Sequence, residues 1–153
     1  MPQTPIYMSF FSTCMVNPPE PLNEGVSRSM RSNKRKDTRP EIILRKALRD
    51  AGKSGYRLQW KAAGHPDICY PGRKVAIFVN GCFWHRCPYC NLPLPKHNAE
   101  YWQQKFVRNV ARDARVKEQL ESEGWKVIII WECKIKQDLP SCVSEIVDSL
   151  SRM

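Results

Sequence analysis

Apolar positions along this chain fall into sharply different patterns. Val75-Ala76-Ile77-Phe78-Val79 is an unbroken apolar run, the pattern of a buried strand. Trp125-Lys126-Val127-Ile128-Ile129-Ile130-Trp131 is the most hydrophobic segment and is predicted as a central strand. Tyr56 to Trp60 alternates as a strand does, and Asp67-Ile68-Cys69-Tyr70 opens another after the turn Gly64-His65-Pro66-Asp67. Pro71-Gly72-Arg73-Lys74 is a short turn, so the strands flanking it are predicted to pair antiparallel. Such a hairpin brings Asp67 beside the strand end at Val79.

Three stretches carry helical spacing instead. In Asp37-Thr38-Arg39-Pro40-Glu41, Thr38 can cap, Pro40 suits the first turn, and Glu41 sits where a capping box requires it. Ile43, Leu44, Ala47, Leu48 and Ala51 then share one face, and Gly52 ends the helix. Ala99 to Glu123 reads as a long helix stopped by Gly124, and Leu139 to Leu150 as an amphipathic one. The order helix, three strands, helix, strand, helix describes a mixed α/β domain with helices covering a sheet. Residues 1–26, with five prolines and no sustained periodicity, are expected to form a flexible extension outside a domain spanning 27–153.

Charge narrows the class of partner. The chain of 153 residues carries a formal charge of +10, which points to a polyanion, with nucleic acid as the default. Ten basic residues lie between Arg28 and Lys53, against Asp37, Glu41 and Asp50. A merely soluble basic face is the bland alternative. No apolar run approaches the roughly 20 residues of a membrane-spanning helix, so no membrane partner is expected. The first residues lack a basic region followed by a long apolar core, so a secretory signal is not expected either. In the reducing, cytoplasmic setting this implies, seven cysteines read better as metal ligands or free thiols than as disulfides.

Three of those cysteines stand in Gly81-Cys82-Phe83-Trp84-His85-Arg86-Cys87-Pro88-Tyr89-Cys90, directly after the buried run. Cys82, Cys87 and Cys90 form C-x4-C-x2-C, and Cys133, at the end of the last strand, is the natural fourth ligand. Four thiolates suit a closed, structural, tetrahedral Zn²⁺. His85 as the fourth ligand, or three buried cysteines with no metal, are the alternatives. Cys14, Cys69 and Cys142 have no companions at ligand spacing.

Taken together, Pro66-Asp67, Ala76 to His85 with its Gly-Cys-Phe-Trp-His core, Glu100-Tyr101-Trp102, Asn109, Arg112-Asp113, Gly124-Trp125 and Trp131-Glu132-Cys133 resemble the very-short-patch-repair (Vsr) mismatch endonucleases. Ser27-Arg28-Ser29-Met30 and Lys36 to Glu41 extend the resemblance, which spans about Ser27 to Cys133. It implies a restriction-endonuclease-like fold, Mg²⁺-dependent cleavage, and a nick 5′ to the thymine of a T:G mismatch in double-stranded DNA. That nick begins repair of deaminated 5-methylcytosine. The resemblance also implies a monomer working at the nucleoid, with mismatch-repair proteins as candidate partners.

Residue by residue, the resemblance makes Asp67 the main Mg²⁺ carboxylate, with the Val79 carbonyl beside it. His85 becomes the general base, and Asp113 and Glu41 match supporting acidic positions. Phe83, Trp84 and Trp102 match aromatics that wedge into the duplex, and Lys105 lies among them. Elementary chemistry agrees: a hard cation takes oxygen ligands, an imidazole can accept a proton from water, and apolar wedges exploit weakened stacking. Glu41 as a capping residue alone, Asp113 as a solvated charge, and Phe83 and Trp84 as core packing are the structural alternatives. Asn80 stands where the family pattern has a second histidine, and keeps only the capacity to hydrogen-bond phosphate. A restriction-type endonuclease cutting paired DNA, or an inactive zinc-stabilised DNA-binding module, are the rival functions.

Overall fold

The computed structural model describes residues 17–152, so most of the expected flexible extension lies outside the described residues. The first helix, α1 (Glu24–Ser32), begins inside the span expected to be extension. Asn23 caps it by accepting the Val26 N–H at 2.9 Å. No α1 residue is buried, and Val26 and Met30 are the only large apolar side chains among its nine residues.

α2 (Arg39–Asp50) packs through Leu44 and Leu48, both fully buried. Burial of each leucine contributes about 1.5–3 kcal/mol. Ile43, expected on the same face, is instead exposed, because the helix turns Glu41 rather than Ile43 toward the protein. Thr38 is the N-cap residue, but its hydroxyl goes to the Glu41 carboxylate and not to a backbone N–H.

Four strands form one sheet in the order β1-β2-β3-β4: β1 (Arg57–Leu58), β2 (Ile68–Tyr70), β3 (Val75–Asn80) and β4 (Lys126–Trp131). β1 and β2 run antiparallel to their neighbours, as the hairpin reading requires, while β4 joins β3 in parallel. β1 covers only two of the five residues expected from Tyr56 to Trp60, because Gln59 turns into the left-handed region at φ 46°.

β4 is not a central strand. It closes one side of the sheet among the described residues, and its hydrophobicity has another cause. Its alternate residues are covered by different layers: Ile128 and Ile130 join the core with α2, α4 (Glu132–Gln137) and α5 (Leu139–Ser151), and the opposite face meets α3 (Ala99–Ser122). A strand sandwiched between helices needs apolar side chains on both faces, wherever it sits in the ladder.

The main core comprises Leu44, Leu48, Ile68, Val75, Ile77, Ile128, Ile130, Ile135, Ile146 and their neighbours, all on the α2/α4/α5 side. α3 is pinned at its far end by Lys74, whose Nζ donates to the Glu123 carbonyl at 3.1 Å, a cation on the negative end of a helix. Near its middle, the backbone at Gly64 comes so close that an added Cβ would lie 2.4 Å from Val116 Cγ1. This contact seats the loop leading to Asp67 directly on α3.

Candidate active site and metal cluster

Asp67 is the last residue before β2, and two groups hold its carboxylate. The Val79 N–H donates to Oδ2 at 2.8 Å, and the Gln59 side-chain amide donates to Oδ1 at 3.3 Å. The N–H of Val79, the residue whose carbonyl was expected beside a bound Mg²⁺, thus anchors the Asp67 carboxylate. Burial pushes the Asp67 carboxyl up from 3.8 to about 6. The Val79 bond opposes the rise, Glu41 adds to it, and Gln59 and His85 pull back more weakly. A carboxylate strained by burial and a neighbouring acid, with lone pairs to spare, suits a divalent cation.

Glu41 is almost fully buried, at 4% exposure. Its Oε2 accepts the Asp37 N–H and its Oε1 accepts the Thr38 hydroxyl, each at 2.9 Å. Capping and proximity to Asp67 are thus not alternatives: one carboxylate does both.

β3 delivers the next groups. Asn80 is its last residue, 7% exposed and paired in register with Trp131 of β4. The chain then turns tightly, with the His85 N–H on the Gly81 carbonyl and the Cys87 N–H on the Cys82 carbonyl. α3 fixes three consecutive residues of this turn by three different means. The Phe83 ring stacks edge-on against Phe106 with centroids 5.1 Å apart. The Asn109 amide donates to the Trp84 carbonyl at 3.0 Å. The His85 Nδ1 meets an Asp113 carboxylate oxygen at 2.5 Å, and Arg112 touches the other oxygen at 3.4 Å. Asp113 is therefore no solvated charge.

Trp84 and Trp102 lie with ring centroids 5.8 Å apart, and Lys105 Nζ sits 5.2 Å and 5.3 Å from them. At that range a cation is attracted to the ring faces. Phe83 packs behind, against Trp84, Trp102 and the buried Phe106.

Asp67, Val79, Asn80, Trp84, His85, Trp102, Lys105, Asp113 and Glu41 all line one groove of about 1810 Å³. Phe83 does not line it, which makes that ring a support for Trp84 and Trp102. The wall across from α3 is α1, with Ser27, Met30 and Arg31. Gln59, Tyr101 and Glu132 were not among the residues expected at the site. Tyr101 and Glu132 line the groove, and Gln59 touches Asp67. Leu58 pairs with Ile68, so Gln59 and Asp67 follow just beyond the strand ends, and no residue type at 59 signals the turn that brings them together.

The cysteines form a second centre behind the turn. The sulfurs of Cys82, Cys87, Cys90 and Cys133 lie within 4.8 Å of one another, and those of Cys87 and Cys133 are 3.7 Å apart. Ligands about 2.3 Å from a tetrahedral Zn²⁺ are about 3.8 Å from each other, so the set could hold such an ion. The Cys133 N–H points at the Cys82 sulfur at 3.4 Å, the kind of amide contact that supports a thiolate. Cys133 thus joins the other three, as its place at the end of the neighbouring strand suggested, and His85 does not, its Nδ1 being turned to Asp113. Cys69 and Cys142 are buried elsewhere, and Cys14 lies outside the described residues.

Comparison with known proteins adds the following. The family described as DNA mismatch endonuclease Vsr matches residues 23–91, beginning at the residue that caps α1. The chain is 41% identical over 143 residues to the type II nicking enzyme V.NaeI of Lentzea aerocolonigenes, covering 88% of this chain and 82% of that protein. It is 40% identical over 107 residues to the type II nicking enzyme V.XorIIP of Xanthomonas oryzae, covering 69% and 78%. It is 34% identical over 111 residues to the DNA mismatch endonuclease Vsr of Escherichia coli, covering 72% and 70%.

Proposed function

Because the chain belongs to the Vsr family of DNA mismatch endonucleases, and so is a hydrolytic nuclease acting on DNA, we propose that it nicks duplex DNA 5′ to the thymine of a T:G mismatch. The observation that carries this reading is the placement of the His85–Asp113 pair and Asp67 in the same groove as the Trp84–Trp102–Lys105 ledge. Proton-accepting, cation-holding and base-contacting groups then face one substrate.

Asp113 on Nδ1 selects the tautomer that carries its proton there, leaving Nε2 of His85 to accept a proton from the attacking water. Asp67, with the Val79 carbonyl, would hold Mg²⁺, and Glu41 keeps a second negative charge nearby. A bound Mg²⁺ would stabilise charge developing on the phosphate. Trp84 and Trp102 present flat apolar surface to a weakly stacked base step, with Phe83 bracing them from behind. Lys105 and the basic α1 wall meet phosphate, and Asn80 adds a hydrogen bond at the sheet end. The four cysteines would hold Zn²⁺ and fix the turn that carries Trp84 and His85. A restriction-endonuclease-like framework, monomeric action and work in the cytoplasm at the nucleoid belong to the same proposal.

The test uses end-labelled duplexes identical except for one T:G or T:A pair, in varied flanking sequence, with and without Mg²⁺. A single Mg²⁺-dependent nick beside the mismatched thymine, absent with T:A, is the expected result. Cleavage of both strands of paired DNA would replace it with a restriction activity, and tight binding without cleavage would leave a binding module.

A further inference from the structure

Asp67 has a soft terminal torsion, so a carboxylate that is to receive a cation in one orientation needs two fixed points. The Val79 N–H supplies one, on Oδ2. The other is Gln59, whose amide reaches Oδ1 from outside the groove, since Gln59 is exposed and does not line it. We propose that Gln59 is a positioning residue for Asp67, holding Oδ1 so that the free lone pairs of the carboxylate face the groove.

Two independent observations carry this. The register Arg57↔Cys69 and Leu58↔Ile68 leaves Gln59 and Asp67 as the residues immediately beyond the paired strand ends, and there the Gln59 amide lies 3.3 Å from Oδ1. Gln59 also stops β1 at that point by adopting φ 46°, a conformation glycine takes freely and glutamine seldom does. A surface turn kept at an unfavourable backbone angle, with the side chain spent on an active-site carboxylate, marks strain retained for a function. Gln59 is neutral, so it orients the carboxylate without competing with a cation for its charge.

The inference rests on the assignment of Asp67 as a cation ligand, and one experiment separates the two. Mn²⁺ alone is titrated into DNA-free protein and the free ion followed by electron paramagnetic resonance, for the parent, Asp67→Asn, Gln59→Gly and Gln59→Met. Loss of binding in Asp67→Asn establishes the ligand. Both Gln59 variants should then bind Mn²⁺ about 10-fold more weakly, the scale expected for losing an outer-shell partner. Gln59→Gly relaxes the backbone, so its melting temperature should hold or rise while affinity falls, an outcome a merely structural role would not give. In nicking assays, the half-saturating Mg²⁺ concentration should rise while the rate at saturating Mg²⁺ is largely kept. Unchanged Mn²⁺ affinity in both Gln59 variants, with binding lost in Asp67→Asn, would overturn the role of Gln59 alone. Parent-like binding in Asp67→Asn would overturn the ligand assignment and the Gln59 role with it.

Discussion

His85 Nδ1 lies 2.5 Å from a carboxylate oxygen of Asp113, a contact between a tight turn and a helix 28 residues further along. It fixes both the ring plane and the proton position of the imidazole. His85→Ala should therefore abolish nicking while mismatched DNA is still bound, and Asp113→Asn should lower the cleavage rate about 10²-fold or more. Single-turnover cleavage and band-shift assays on the same duplex check both. Retained cleavage in His85→Ala would remove it as the base.

The burial of Asp67, the carboxylate proposed for cleavage, works against folding. Its carboxyl is raised from 3.8 to about 6 in the native state, so between those values the folded protein binds more protons than the unfolded chain. Stability from this group is therefore present below the lower value and is lost as pH rises through about 6. Asp67→Asn should accordingly melt higher than the parent at pH 8 in metal-free buffer, by on the order of 1–2 kcal/mol once solvent access is discounted, and the gap should close by pH 4. The same variant should not nick. Equal melting temperatures at pH 8 would mean that the carboxylate is not under strain.

Much of this arrangement was legible from residue order, and the gaps have physical causes. Val75–Asn80 and Leu139–Ser151 follow from an unbroken apolar run and a helical stripe, because each buries what its pattern advertises. The spacing of Cys82, Cys87 and Cys90, with Cys133 at a neighbouring strand end, likewise pointed to the four-sulfur cluster. α1 was missed because its nine residues carry only two large apolar side chains, Val26 and Met30, too few to mark a helix beside the prolines before it. β4 misled, because hydrophobicity reports covered faces and not the number of strand neighbours. Gln59 stayed hidden because its contact depends on a left-handed turn that no residue type there signals.

Cys87→Ser removes one of four clustered sulfurs at a buried position. The purified variant should contain less than stoichiometric zinc and melt at least several degrees lower, since metal binding of this kind contributes directly to folding. Its nicking should fall as well, because His85 lies between two of the ligands. Unchanged metal content by mass spectrometry would sink the ligand assignment.

Gly64→Ala tests the seating of the Asp67 loop on α3. The added methyl would meet Val116 at 2.4 Å, and φ +70° disfavours any side chain there. A loss of about 1–3 kcal/mol is expected. Val116→Ala in the same chain should recover part of it by clearing space. If Gly64→Ala is neutral in chemical denaturation, the close approach is not a constraint.

Trp84→Ala should separate recognition from chemistry. Loss of a stacking surface should weaken binding to the mismatched duplex by about 1–3 kcal/mol and leave binding to paired DNA nearly unchanged. Fluorescence anisotropy with the two duplexes reads the difference directly. An equal loss on both would make Trp84 a packing residue.

The cysteine cluster also imposes an order on how this turn can be assembled as the chain is made. Asp67, His85 and Asp113 all leave the ribosome before Cys133, as does the whole of α3. A nascent or prematurely terminated chain ending short of residue 133 lacks the fourth sulfur. It lacks β4 as well once it stops before residue 126. Such a fragment holds every group proposed for cleavage on a turn that α3 alone braces. The turn that carries Trp84 and His85 therefore takes its last brace from a strand and a sulfur made after the residues they help to place.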